Sequence, residues 1–202
     1  YPFLSSSSNH ILDITLGIAS DSALSRSSQG AGGHINTTDQ RKKINIYNQM
    51  AQLLMGYDQT GSIEVFDEDG DILAGGTKMK EVFFINFSRL LSKDEIKKGS
   101  FTLDLAMSGT ILGNADLSDD IVRIQDSNGE NSFKINSPAG EYGLLFATEH
   151  PNALNASLLG TDDGSQKVGL LFYQAGIAVL TASIFMDTGS LGILQANASM
   201  TT

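Results

Sequence analysis

From residue 61 onward, apolar side chains fall on every second position, in short runs separated by glycine-bearing turns. A period of two places alternate side chains on opposite faces of an extended chain, which no helix can do. In "GSIEVFDEDGDILAGG" (61–76), Asp69-Gly70 suits a turn with positive φ, and strands over 62–67 and 72–75 are expected beside it. "EVFFINFS" (81–88) is apolar on both faces, which predicts a central place in its sheet. "SFTLDLAMS" (100–108) alternates, with Phe101, Leu103, Leu105 and Met107 inward and Thr102 and Asp104 outward. "IVRIQDSNGENSFKIN" (121–136) reads as a hairpin about Asn128-Gly129, and "EYGLLFATE" (141–149) as a strand. A turn at "DDGSQK" leads to two further strands, 168–173 and 177–185. With about nine or ten strands at short spacing, the fold class is mainly β: an antiparallel β-sandwich or Greek-key barrel.

One amphipathic helix precedes this pattern. Thr37-Thr38-Asp39-Gln40 has capping-box spacing, and Ile44, Tyr47, Ala51 and Leu54 share a face. Ile46, Met50 and Leu53 widen that stripe, and Gly56 ends it. "SKDEIKKG" (92–99) reads as a single helical turn. Before the helix lie Ser/Gly-rich runs around "ILDITLGIA" (11–19), in which Leu12, Ile14, Leu16 and Ile18 alternate as in a strand. The expected organisation is an extended arm with one strand (1–38), a β-domain with an N-terminal helix (39–190), and a tail without folding pattern, expected to be truncated (191–202). The chain opens on Tyr1 with no charged-then-apolar signal segment, as expected for a processed product or a part of something longer.

Charge narrows the partners. The net charge is −10, and eleven acidic residues from 99 onward face only Arg123, Lys134 and Lys167. Such a surface repels a phosphate backbone, so no nucleic-acid partner is expected. Residues 168–186 run nineteen positions without a charge, close to spanning length. Gln174-Ala175-Gly176 splits them into strand-length pieces without a basic flank, so a buried strand pair is predicted and no membrane partner. Arg41, Lys42 and Lys43 lie at the wrong end of the helix dipole. Either they meet an acidic partner surface or they form a solvated basic turn. With Tyr47 and Leu54 they make the candidate interface.

Chemistry-bearing motifs are weak throughout. There is no Cys, which excludes thiolate zinc sites and cysteine nucleophiles, and His10, His34 and His150 are widely separated. "DEDGD" (67–71) resembles a calcium loop, but Val65 falls where the first acid belongs and Gly76 where the closing Glu belongs. "FMDTGS" (185–190) resembles an aspartic-protease strand, yet a dyad needs two such loops and one is present. No G-x-S-x-G, G-x-G-x-x-G or Walker pattern occurs. Four Asn-x-Ser/Thr triplets occur, at Asn36, Asn86, Asn155 and Asn197, with Asn86 inside a strand expected to be buried. A glycan cleft has no Trp to build on, so glycan binding is open but unsupported. No catalytic, cofactor-binding or metal site is predicted, and no cofactor.

Taken in order, "NIYNQMAQLLMGYD", "EVFFINFSRLLSKDEIKKGSFTLDL", "IVRIQDSNG", "FKIN" and "VGLLFYQAGIAVLTASIF" resemble segments of large virion structural proteins of marine contractile-tailed bacteriophages, including cyanophages. The resemblance spans roughly residues 40–186, through Tyr47, Phe84, Asn86, Arg89, Gly99, Phe101, Asp126, Gly129 and the stretch Gly169 to Leu180. It implies a non-enzymatic tail, baseplate or neck component in a virion, bound to other virion proteins. The two-faced apolar strands and the wide helix stripe add the expectation of a homo-oligomer. It transfers no catalytic residue. The alternative reading is a receptor- or glycan-binding β-sandwich at a host surface.

Overall fold

The computed structural model describes residues 12–22, 25, 38–70, 76–87, 95–106, 121–149, 166–182, 186–187 and 194–195. Eight of its strands join in one antiparallel sheet: β1 (Asp13–Ile18), β2 (Glu81–Asn86), β3 (Thr102–Ala106), β4 (Ile121–Gln125), β5 (Lys134–Ser137), β6 (Gly140–Glu149), β7 (Gln166–Phe172) and β8 (Ile177–Thr181). Seven follow the order β1-β2-β8-β7-β6-β4-β3, and β5 pairs with β6 beside that path. The short strands β9 (Met186–Asp187) and β10 (Leu194–Gln195) form a separate parallel pair. Helix α1 spans Thr38–Leu54, and α2 is the single turn Gly129–Ser132.

The fold is thus mainly β with a curled antiparallel half-barrel sheet. Two observations account for the curl. Val168 has no partner between the pairs Leu145↔Gly169 and Phe146↔Lys167, so β7 carries an extra residue that bends it and strengthens its twist. Phe87, just past β2, meets Phe101, just before β3, edge-on with ring centroids 5.5 Å apart, although the two strands stand five places apart in the sheet.

Both faces of the sheet are apolar, as 81–86 anticipates. Along β8, Ile177 and Val179 enter one cluster while Ala178 and Leu180 enter the other. The first cluster is roofed by α1, whose Tyr47, Ala51 and Leu54 are buried beside Phe66, Val82, Phe84 and Phe172. Rings of Tyr47, Phe66 and Phe84 stand 5.5 to 6.5 Å apart, each contact adding about 0.5–1.5 kcal/mol beyond the area buried. Gly17 lets α1 come close: a Cβ there would lie 3.2 Å from the Tyr47 backbone and 2.6 Å from the Phe84 ring. The second cluster holds Ile85, Val122, Ile124, Leu145, Val168 and Leu171. The uncharged stretch 168–186 supplies both clusters through the β7–β8 hairpin, and no described helix is long and apolar enough to cross a membrane.

Several expectations are corrected. The segment 121–136 is not a hairpin about Asn128-Gly129. β4 and β5 both pair with β6, β4 with Phe146–Glu149 and β5 with Gly140–Tyr142, so they lie in line along one edge of it. Asn128-Gly129 instead opens α2, because the Asp126 carboxylate is held by residues far away in sequence and the chain rejoins the same edge after the detour. The chain reversal comes later, where Ser137 faces Gly140. Gly70 does take positive φ, at 66°, but 62–67 forms no regular strand. Phe66 and Glu68 pair with Met79 and Thr77, and 71–75 lies outside the described residues. Leu53 is 59% exposed, so the α1 stripe is narrower than expected. Of the helical turn expected over 92–99, residues 92–94 lie outside the described residues, and the described part ends in a turn closed by the Ser100 N–H to the Lys97 carbonyl. Thr37, Met107 and 183–185 lie outside the described residues.

Candidate functional site

Helix α1 divides the residues of the candidate interface. Arg41 and Lys42 are exposed and Lys43 is half-buried on its first turns, with the Lys42 ammonium 3.4 Å from Asp39. Tyr47 and Leu54 are buried inside the chain, the Tyr47 hydroxyl donating to the Met79 carbonyl at 2.8 Å. Burial pushes the Tyr47 phenol well above its ordinary range. The helix therefore offers outward its basic turn and Leu53, while its tyrosine face is used inward.

The densest polar constellation was not anticipated from sequence. Asp126, fully buried at the end of β4, accepts hydrogen bonds from the Phe101 N–H (2.9 Å), the Gly99 N–H (2.7 Å) and the Tyr173 hydroxyl (3.3 Å). Burial raises its carboxyl above the usual range, and these donors oppose that shift. Tyr173 is raised in turn, by burial and then by the Asp126 charge. Above them Lys98 pairs with Glu141 and lies 3.7 Å from Glu95, its ammonium 4.9 Å from the Phe133 ring centroid and 5.5 Å from that of Tyr173. The Glu141 bond holds the Lys98 ammonium charged to higher pH than usual. The Ile96 N–H donates to the Tyr173 carbonyl at 3.0 Å. Together these contacts clasp the strap 95–101 across the end of the β7–β8 hairpin. A general base needs an oxygen aimed at a substrate proton; here both Asp126 oxygens accept from the chain itself. No local pattern in "RIQDSNG" announces the clasp, since its donors lie 25 to 47 residues away.

A second carboxylate, Asp67, is also fully buried and pairs with Lys78, with the Asp69 N–H 3.3 Å away. A Cβ on Gly76 would stand 2.8 Å from its oxygens, so the acid is enclosed by its own loop. Burial raises Asp67 against the pull of Lys78, and raises Glu68 beside it. Among the described residues, no group of three or more His, Cys, Asp or Glu is placed to hold a metal ion. Asp71 and the three histidines lie outside the described residues; Asp187 lies in β9, and Thr188 to Ser190 outside them.

The remaining feature is an apolar rim on the second face. Leu12, Phe83, Phe101, Leu103 and Leu105 pack against the second cluster yet stay only partly buried. Ile14 is 59% exposed and pairs in register with Ile85, which places it on this same face. The strands at the two ends of the sheet, β1 and β3, each have one strand neighbour among the described residues. No family model matches this chain, and neither a curated protein nor a solved structure matches it.

Proposed function

We propose that this chain is a non-enzymatic structural subunit of a tailed-phage virion, in its tail, baseplate or neck, held there by contacts with other virion proteins and with copies of itself. The observation that carries this reading is the partly buried apolar rim, flanked by the terminal strands β1 and β3. Apolar surface at the end of an open sheet favours a protein neighbour over water. The resemblance of residues 40–186 to virion structural proteins points the same way. The buried polar groups Asp126, Asp67 and Tyr47 support a structural role, each being bonded within the chain. The finer architecture expected from sequence, a sandwich or Greek-key barrel, belongs to this proposal: a neighbour packed on the rim supplies the layer that closes the half-barrel.

Light scattering and electron microscopy of the purified protein test the reading. A ring or a closed oligomer is expected, together with retention on virion proteins. A monomer that binds glycans saturably and has no affinity for virion proteins would favour the host-surface alternative and overturn the proposal.

A further inference from the structure

The segment Leu12–Ser22 joins the body through contacts that owe nothing to its covalent connection. Six register pairs, Asp13↔Asn86 through Ile18↔Glu81, tie β1 to the outer edge of β2. Beyond the strand, the Ala19 N–H donates to the Lys80 carbonyl at 2.6 Å, Asp21 pairs with Lys80 at 2.7 Å, and the Ser22 hydroxyl bonds the Glu81 carboxylate. Gly17 lies against Tyr47, and Ala19 is buried in the first cluster. Between Ser25 and α1 run twelve residues, "RSSQGAGGHINT", with three glycines and only Ala31 and Ile35 as apolar side chains. Twelve residues reach at most ~40 Å, which spans a small domain.

We propose that Leu12–Ser22 is an exchangeable arm whose β1 fills the β2 edge of a second copy of this chain. The inference rests on the assembly proposed above. Every contact named is a contact between surfaces, so it forms equally well when arm and body come from different copies. A neighbour held beside it in an assembly presents an identical β2 edge, and where that edge lies within the ~40 Å that twelve residues can reach, the two edges compete for one arm. An empty edge would leave the backbone N–H and C=O groups that β1 now pairs without partners, beside the core residues Val82, Phe84 and Ile85. An arm passed to the neighbour also carries Ile14 with it, putting that exposed side chain at the boundary between copies.

The exchange is read without altering the protein. Chains labelled with 14N and with 15N are unfolded together in equal amounts, refolded, and treated with a carbodiimide, which joins the paired Asp21 carboxylate and Lys80 ammonium. Exchanged arms give mixed-isotope Asp21–Lys80 peptides, about half of the total at full exchange. Same-isotope peptides alone overturn the proposal. Light scattering on the same sample separates the two readings: an oligomer with same-isotope peptides loses the arm exchange and keeps the assembly, whereas a monomer loses both. The pair Asp13↔Asn86 gives a second readout in a chain without native cysteine. Asp13→Cys and Asn86→Cys chains refolded together form a mixed disulfide dimer if the arm is exchanged, and none if it folds back.

Discussion

Asp126 and Asp58 carry the same side chain in opposite surroundings. Asp58 lies in an exposed turn where the Thr60 hydroxyl and the N–H groups of Thr60 and Ser62 donate to it, at 2.7 to 2.9 Å, and these bonds hold its carboxyl below the ordinary 3.8. Asp126 accepts as many bonds, but burial outweighs them and its carboxyl is raised. The two contribute to stability with opposite signs. The Asp58 contribution is present above its unfolded value and is lost as pH falls through the lower folded one. That of Asp126 is complete below its unfolded value and is lost as pH rises through the higher folded one. We expect Tm profiles to separate them: the deficit of Asp58→Asn relative to wild type should shrink in acid, and that of Asp126→Asn should be largest there. Parallel profiles for both variants would contradict the assignment. Gly169 lies in β7 directly against β8. A Cβ there would fall 2.0 Å from the Val179 backbone carbonyl of the neighbouring strand, which cannot yield without parting β7 from β8. Gly169→Ala should cost about 3 kcal/mol in urea unfolding.

Among the elements, α1 shows how a buried face and an exposed one can sit on adjacent residues. Leu54 is fully buried while Leu53 is 59% exposed. Leu54→Ala should cost about 2–5 kcal/mol, whereas Leu53→Lys should stay within about 0.5 kcal/mol; both are read from urea midpoints. Periodicity placed the helix and its Tyr47, Ala51, Leu54 face, but it could not tell that the stripe stops short of Leu53. Strand periodicity was more informative. The two-faced β2 and the break at Gln174 to Gly176 were both readable, because burial on both faces removes polar residues from a strand. Asn128-Gly129 misled for the opposite reason. That dipeptide is a local hairpin signal, whereas the path of the chain there is set by Gly99, Phe101 and Tyr173, none of them near in sequence.

For the whole molecule, the sheet order β1-β2-β8-β7-β6-β4-β3 joins segments from both ends of the chain. Alternation predicts strands; it does not predict which strands become neighbours, so the curl and its rim were beyond reach from sequence. The candidate interface was read from charge and helix face, and its buried members Tyr47 and Leu54 could be told from Arg41 to Lys43 only by seeing what α1 covers. Ile14 stands on the rim without entering either core cluster, so Ile14→Lys should leave urea unfolding of the separated chain nearly unchanged while weakening self-association in light scattering. Loss of folding stability with association intact would place Ile14 in the core instead.

The buried phenols have a spectroscopic consequence. The protein has no tryptophan and five tyrosines, so its near-ultraviolet absorbance is tyrosine absorbance. Tyr47 binds α1 to the segment before β2, Tyr173 sits at the centre of the clasp, and both resist ionisation. Above about pH 10, where an unfolded phenol loses its proton, alkali should draw on the unfolded chain and erode stability. The phenolate signal of these two rings should then rise with the loss of the β circular dichroism, turning an alkaline titration into a report on whether helix and clasp let go together.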